Sequence, residues 1–385
     1  MARRFRRDRA IFVPTAGAQL VATTSAFVLP FVVDALIAGA GFTVDSAGYL
    51  ISMEAIAAAL TTVAFSVWTH ARSRRRTALV GAALAATGSA LSLISPEIYW
   101  LVGARLIAGI GAGIVTAEVS AVVARGLDRE RLISALTITA VVNGSIWLFV
   151  IPVLLPVLGY RAPYLALLLT CIVGTILLSR LPSPPMLRVA EENREPTEAV
   201  GIGFAVLPAI FLTQIGQGSF WTMVSIYGAS TGLSPETIGV FLLIATLMLL
   251  PGVMGTAWLG ASAGRFTPMF VLIIINVASI VAISFSKDPN VYFAANTVQS
   301  LTNLSSVVYQ LGLVAAVDRS GRLFAAANGL VMLGNGIGPA IAGAIAALYG
   351  APTVGIAVVL FNLAALALYG LVGAGVARRT VLLRA

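Results

Sequence analysis

The sequence predicts an all-α polytopic membrane protein, twelve transmembrane helices built as two pseudo-symmetric six-helix bundles. Three observations lead to that fold class: an internal repeat, an apolar composition and an uneven distribution of basic residues. A single offset of 191 residues carries the first half of the chain onto the second. It takes Asp45 and Gly48 to Glu236 and Gly239, Arg74 to Arg265, Glu97 to Asp288, Arg131-Leu132 to Arg322-Leu323 and Gly159 to Gly350. The matches sit in turns between long apolar segments and need no gap. Hydrophobic residues make up 59% of the 385 residues and charged ones 10%, with a mean hydropathy of +0.98. A soluble chain of this length could not cover so much apolar surface.

A helix needs about 20 apolar residues to cross roughly 30 Å of hydrocarbon. In the first half such stretches run over 12–37, 46–69, 77–95, 98–124, 133–157 and 162–180. In the second they run over 202–228, 237–260, 267–285, 291–316, 323–348 and 352–376. With the N-terminus inside, the inner segments hold Arg3, Arg4, Arg6, Arg7, Arg9, Arg72, Arg74, Arg75, Arg76, Arg125, Arg129 and Arg131. They also hold Arg180, Arg188, Arg194, Arg265, Arg319, Arg322, Arg378, Arg379 and Arg384, which makes 21 of the 24 basic residues. Only Arg161 and Lys287 lie outside, and Arg105 is within a span. So strong a positive-inside bias puts both termini in the cytoplasm of a multi-pass protein of a plasma or bacterial inner membrane. It also explains the net charge of +9 without nucleic acid.

The predicted division is an N-terminal bundle over 1–180, a cytoplasmic linker over 181–200 and a C-terminal bundle over 201–385. The linker holds Pro182, Pro184, Pro185 and Pro196 with Glu191, Glu192, Glu195 and Glu198, a composition that neither spans nor packs a core. Cys171, the one cysteine, lies in a span and excludes an intrachain disulfide or a cysteine metal cluster. Neither a metal-ligand cluster nor a nucleophile–base spacing occurs in the spans, so no cofactor and no enzymatic activity are expected.

Polar residues inside a bilayer are costly, and their spacing is informative. Span 10 carries Asn296, Gln299, Asn303, Ser306 and Gln310 at steps of three and four, on one helical face. Span 7 carries Gln214, Gln217, Trp221 and Ser225 in the same manner. These stripes read as either interhelical hydrogen bonding or the wall of a polar pathway, and their continuity points to the pathway. The repeat maps Gln214 onto Thr23, Ser225 onto Asp34 and Asn296 onto Arg105, placing those residues on the equivalent face of the first half. Four charges fall within spans: Asp34, Glu54, Arg105 and Glu118. Each would cost about 2.5–3.5 kcal/mol if alone at the centre. Glu54 is about 12 Å and Arg105 about 10 Å from the outer ends of their spans, at 1.5 Å per residue. They form a candidate charge pair for coupling, with Asp34 as an alternative gate or proton site. Glu118, nearly a span deeper, is expected to tie span 4 to the inner loop at Arg72, Arg74 and Arg75 as a cytoplasmic gate.

With these residues in view, the chain resembles the major facilitator superfamily over roughly residues 10 to 376. The loop after span 2, Ser66 to Arg76, keeps the basic end of the family's pattern, with His70 in place of its aspartate and Ser66 and Ser73 in place of its glycines. Span 4 reads Arg105-Leu-Ile-Ala-Gly109-Ile-Gly111-Ala-Gly113, close to the family's arginine-and-glycine pattern. Span 11 holds Gly334, Gly338 and Pro339, similar to the glycine-proline motif that antiporters carry in span 5; here span 5, around Asn143-Gly144, does not carry it. The resemblance implies that spans 1, 4, 7 and 10 line a central cavity, and hence a substrate site at Thr23, Phe27, Gln214, Gln217, Trp221, Asn296, Gln299 and Asn303. Parallel six-span halves are a secondary-transporter architecture. The expected function is therefore movement of a small amphipathic or polar molecule by alternating access, proton-coupled, as a monomer in the lipid bilayer, with export the preferred direction. The alternatives are an uptake symporter or facilitator, and a membrane sensor or partner protein that does not transport.

The charge distribution makes the topology testable. Glu195→Cys in a Cys171→Ala background should react with a membrane-permeant maleimide and ignore an impermeant one added outside sealed cells. Labelling by the impermeant reagent would defeat the twelve-span topology.

Overall fold

The computed structural model describes residues 2–68, 74–123, 129–181, 200–259, 266–317 and 322–382. The first half comprises α1 (Ala2–Ala40), α2 (Val44–Trp68), α3 (Arg74–Leu91), α4 (Ile98–Val123), α5 (Arg129–Leu158) and α6 (Arg161–Leu178). The second comprises α7 (Val200–Ser230), α8 (Pro235–Leu247), α9 (Leu249–Leu259), α10 (Phe266–Phe285), α11 (Pro289–Val317), α12 (Arg322–Tyr349) and α13 (Ala351–Leu382). No strand occurs among the described residues. Among the described residues, nine spans are apolar enough to cross a bilayer by length and composition alone. The others are α3, which opens on Arg74-Arg75-Arg76, and α7 and α11, which carry the amides.

Span 8 departs from its expected form. It is broken at Met248 into α8 and α9 rather than running unbroken over 237–260. Pro251 has no N–H to give Leu247, and its ring crowds that carbonyl, so the helical ladder opens there. Met248 bridges the break by donating to the carbonyls of Ile244 and Ala245.

By Cα proximity the chain forms two compact units, Met1–Glu191 with Pro235–Leu243, and Glu192–Ser234 with Ile244–Ala385. In the first, α1 packs on α5 and α6, α4 on α2 and α3, and α3 on α6. In the second, α7 packs on α12 and α13, α11 on α9 and α10, and α10 on α13, the same scheme one repeat later. The repeat extends to backbone detail. Among the described residues the glycines with positive φ are Gly41, Gly159, Gly232 and Gly350, two pairs related by the 191-residue offset. The first turns of α4 and α11 are capped alike. Glu97 accepts from the amides of Tyr99 and Trp100 while its own amide donates to Ser95. Asp288 accepts from Asn290 while its amide donates to Ser286.

Apolar side chains cover the outside of the helices, with Leu60, Ile146, Ile274 and Leu363 all more than half exposed. Tyr99, Trp258 and Tyr349 are exposed at helix ends, where an aromatic ring suits the headgroup region. In contrast, Gln214, Asn276, Asn296, Gln299 and Gln310 are buried. Lipid outside and hydrogen-bonding groups inside is the arrangement a bilayer enforces, because an amide has no water to bond there.

Glycines set the tightest approach. The position a Cβ would occupy at Gly109 falls against the carbonyl oxygen of Glu54, and that at Gly113 against the carbonyl oxygen of Ala58. On the other side of α4, Gly111 meets the backbone of Gly81 and Ala85. α4 is thus clamped between α2 and α3 with no room for a methyl group. Gly109→Ala should destabilise the protein by about 1–3 kcal/mol, the usual range for overpacking. Gly103, with no neighbour within 4 Å, should accept alanine without loss. Thermal unfolding of the two variants in detergent provides the comparison; equal melting temperatures would contradict the clamp.

Candidate functional site

The clamp fixes what Arg105 can reach. Gly109 lies one helical turn below Arg105 and holds α2 at Glu54, so the two charged side chains leave neighbouring backbones at one level. Arg105 Nη1 lies 3.3 Å from Glu54 Oε2. The rest of the guanidinium turns into the first bundle. Nε donates to Ser92 Oγ at 3.1 Å, in the turn after α3, and Nη2 to Ser89 Oγ at 3.3 Å, on α3. Its carbon stands 5.2 Å from the centre of the Tyr164 ring on α6, a cation–π distance. Ser25 on α1 donates to the other oxygen of Glu54, Oε1, at 2.9 Å. Five helices therefore meet at one ion pair.

The two partners are not equally enclosed. The Arg105 side chain is 2% exposed and that of Glu54 13%. Arginine keeps its charge at any physiological pH and offers five donors in a planar fork. Its burial is tolerable because the carboxylate, two hydroxyls and an aromatic face meet it on several sides. Glu54 is the partner that solvent can approach. Asp34, on α1, is partly exposed and also makes an interaction within the fold.

Toward the C-terminal end of α4, Glu118 Oε2 lies 3.3 Å from Arg74 Nη1 at the start of α3. Glu118 is 1% exposed and Arg74 22%, so the acid is buried and the base faces outward. Arg75 is half-buried beside it in sequence, and Arg72 lies outside the described residues.

In the second bundle the two stripes meet. Gln299 Nε2 on α11 donates to Gln217 Oε1 on α7 at 3.0 Å, and Thr213 on α7 donates to Gln310 Oε1 at 3.2 Å. Asn276 on α10 donates to the backbone oxygen of Gln299 at 3.4 Å. Asn296 is enclosed and donates to the Tyr292 carbonyl of its own helix. A small cavity opens between α7, α10, α11 and α13, with Gln214, Asn276, Asn303, Ser306, Gln310 and Asn362 in its wall. Trp221 is partly exposed on α7. In the first bundle, Thr23 returns its hydroxyl to the Gln19 carbonyl, and Phe27 lies against Gly144 of α5.

The serines and Tyr164 around Arg105, and Asn276 and Asn362 in the second bundle, were absent from the sequence reading. Two signals point to them. Ser89 and Ser92 stand three apart on one face of span 3. Asn276 and Asn362 are lone amides in very apolar helices, and a lone amide in a bilayer needs a partner on another helix.

Removing one partner of the Arg105 pair should be worse than removing both. Glu54→Leu leaves a buried cation and should cost about 3–5 kcal/mol. The double change Glu54→Leu with Arg105→Met should recover most of that loss in detergent unfolding. Strict additivity of the two single changes would show that the pair carries no coupling energy.

Comparison with known proteins gives this geometry a family context. The profile described as Major Facilitator Superfamily matches residues 15–207. An uncharacterized MFS-type transporter, YbcL of Bacillus subtilis (strain 168), is 28% identical over 102 residues, which is 26% of this chain and 26% of that protein. Among solved structures, a mutant of the nucleoside transporter NupG superposes with a TM-score of 0.71 at 12% identity, over 94% of this chain and 99% of that one. A bacterial homolog of the human lysosomal transporter Spinster, inward-facing and unoccupied, gives 0.71 at 14% identity over 96% of each chain. The human organic anion transporter MFSD10 (TETRAN) gives 0.67 at 16% identity, over 95% of this chain and 99% of that one.

Proposed function

This chain belongs to the Major Facilitator Superfamily, and on that premise we propose that it is a secondary transporter of a small, uncharged or amphipathic organic molecule. It works by alternating access in a cell membrane, with both termini cytoplasmic, and protons drive it through Glu54. The observation that carries the reading is the unequal enclosure of one ion pair: Glu54 retains 13% exposure while Arg105 retains 2%. A proton arriving at Glu54 removes the countercharge of a cation that cannot itself deprotonate. Arg105 then keeps Ser89, Ser92 and Tyr164, and Glu54 keeps Ser25. Both protonation states therefore have partners, but the link between α2 and α4 differs between them. A two-state element biased by a ligand, here a proton, is what coupled transport requires.

Arg105 also bears on the cargo. While Glu54 is ionised its charge is answered there, and Ser92 and Ser89 take up Nε and Nη2, so in that state it is not free to select an anion. The cargoes named for the structural neighbours, nucleosides in one case and organic anions in another, differ among themselves, as expected of a shared fold. Fold likeness supports the architecture, and the site residues support the uncharged class.

Reconstituted vesicles under an imposed pH gradient test the coupling. With a substrate found by thermal-shift screening, Glu54→Gln should abolish gradient-driven accumulation yet retain substrate exchange. Full accumulation in Glu54→Gln would remove Glu54 as the proton carrier and transfer that role to Asp34. Ligand binding without flux in wild-type vesicles would favour the sensor alternative.

A further inference from the structure

We propose that the small cavity of the second bundle is a binding site for one water molecule, held by side-chain amides of α7, α10, α11 and α13. This does not rest on the transport reading. The cavity volume is about 10 Å³, at the lower end of what admits one water. Its walls supply the partners. Gln214 is 3% exposed, and its side-chain amide has no hydrogen-bond partner among the described residues. Asn303 is likewise without a side-chain partner among them. Gln310 is 1% exposed and uses its Oε1 to accept from Thr213. Asn276 and Asn362 spend a donor each on backbone carbonyls, which leaves their oxygens for the cavity. Buried amides are nearly always hydrogen-bonded, to protein or to ordered water.

The occupant's chemistry follows from the wall. Every residue lining the cavity is uncharged. No carboxylate is present to hold a cation and no base to hold an anion. Amides offer donors and acceptors together, which fits a molecule that both donates and accepts.

The fold does not force this polarity. The 191-residue offset takes Asn276, Ser306 and Asn362 back to Ala85, Val115 and Cys171. Those three are buried members of the apolar core of the first bundle. One scaffold position is thus close-packed hydrocarbon in one half and an amide-lined cavity in the other. The site is a property of the second half's sequence and not a packing requirement of the repeat.

Hydroxyl-radical footprinting by X-ray radiolysis, on the full-length protein in nanodiscs, tests the site, because radicals form at bound water and label side chains beside it. Ile273 and Val307 line the cavity. Ile280 and Ile283, as buried as Ile273 on the same helix and absent from the cavity wall, are the controls for it. Labelling at Ile273 should run several-fold faster than at these controls, and Asn303→Leu should bring it down to their level. Labelling no faster than the controls in the wild type, a measurement that needs no variant, overturns the proposal. Fast labelling that persists unchanged in Asn303→Leu also overturns it, since bulk water would then be the source.

Discussion

A guanidinium that cannot lose its charge sits inside a membrane bundle, and much of the first half is arranged to answer it. Arg105 draws on α2 for a countercharge, on α3 and the turn after it for two hydroxyls and on α6 for an aromatic face, while α1 supports the countercharge through Ser25. Those contacts require helix backbones closer than ordinary side chains permit. The glycines of α4 supply that approach on two faces, toward α2 through Gly109 and Gly113 and toward α3 through Gly111. The glycine pattern and the arginine are therefore one device: small residues bring the partners to the charge. In a low-dielectric interior, breaking one contact strands a charge rather than loosening a surface bridge.

The second bundle repeats the scaffold and not the chemistry. Turn glycines, helix caps and packing partners recur at the constant offset. Where the first bundle places charges on α2 and α4, the second spreads neutral amides along α11. Gln217 and Gln299 clasp α7 to α11, and Thr213 with Gln310 does so again about three turns further along α11.

The fold was largely written in the sequence because a bilayer applies simple rules. Apolar length gives spans, and a gapless repeat gives the two-bundle plan. The break at Met248 was missed because Pro251 lies inside an unbroken apolar run, and hydropathy carries no information about a missing N–H. The site was legible in its charges and less so in its support. Depth counting brought Glu54 and Arg105 to one level, and the structure brings the two side chains together. It could not identify Ser25, Ser89, Ser92 or Tyr164, whose roles depend on helix rotation. The amide stripes of spans 7 and 10 were visible as stripes, but which groups bond across them is set by tertiary packing.

The central claim is that Glu54 gains and loses a proton beside a permanently charged Arg105. Infrared difference spectroscopy of the reconstituted protein, stepped in pH, reads that event directly through the carbonyl stretch of a protonated carboxyl. The account predicts a carboxyl band that appears in the wild type and is absent in Glu54→Gln, with an accompanying change in the guanidinium bands that is absent in Arg105→Met. Identical difference spectra for wild type and Glu54→Gln would contradict it.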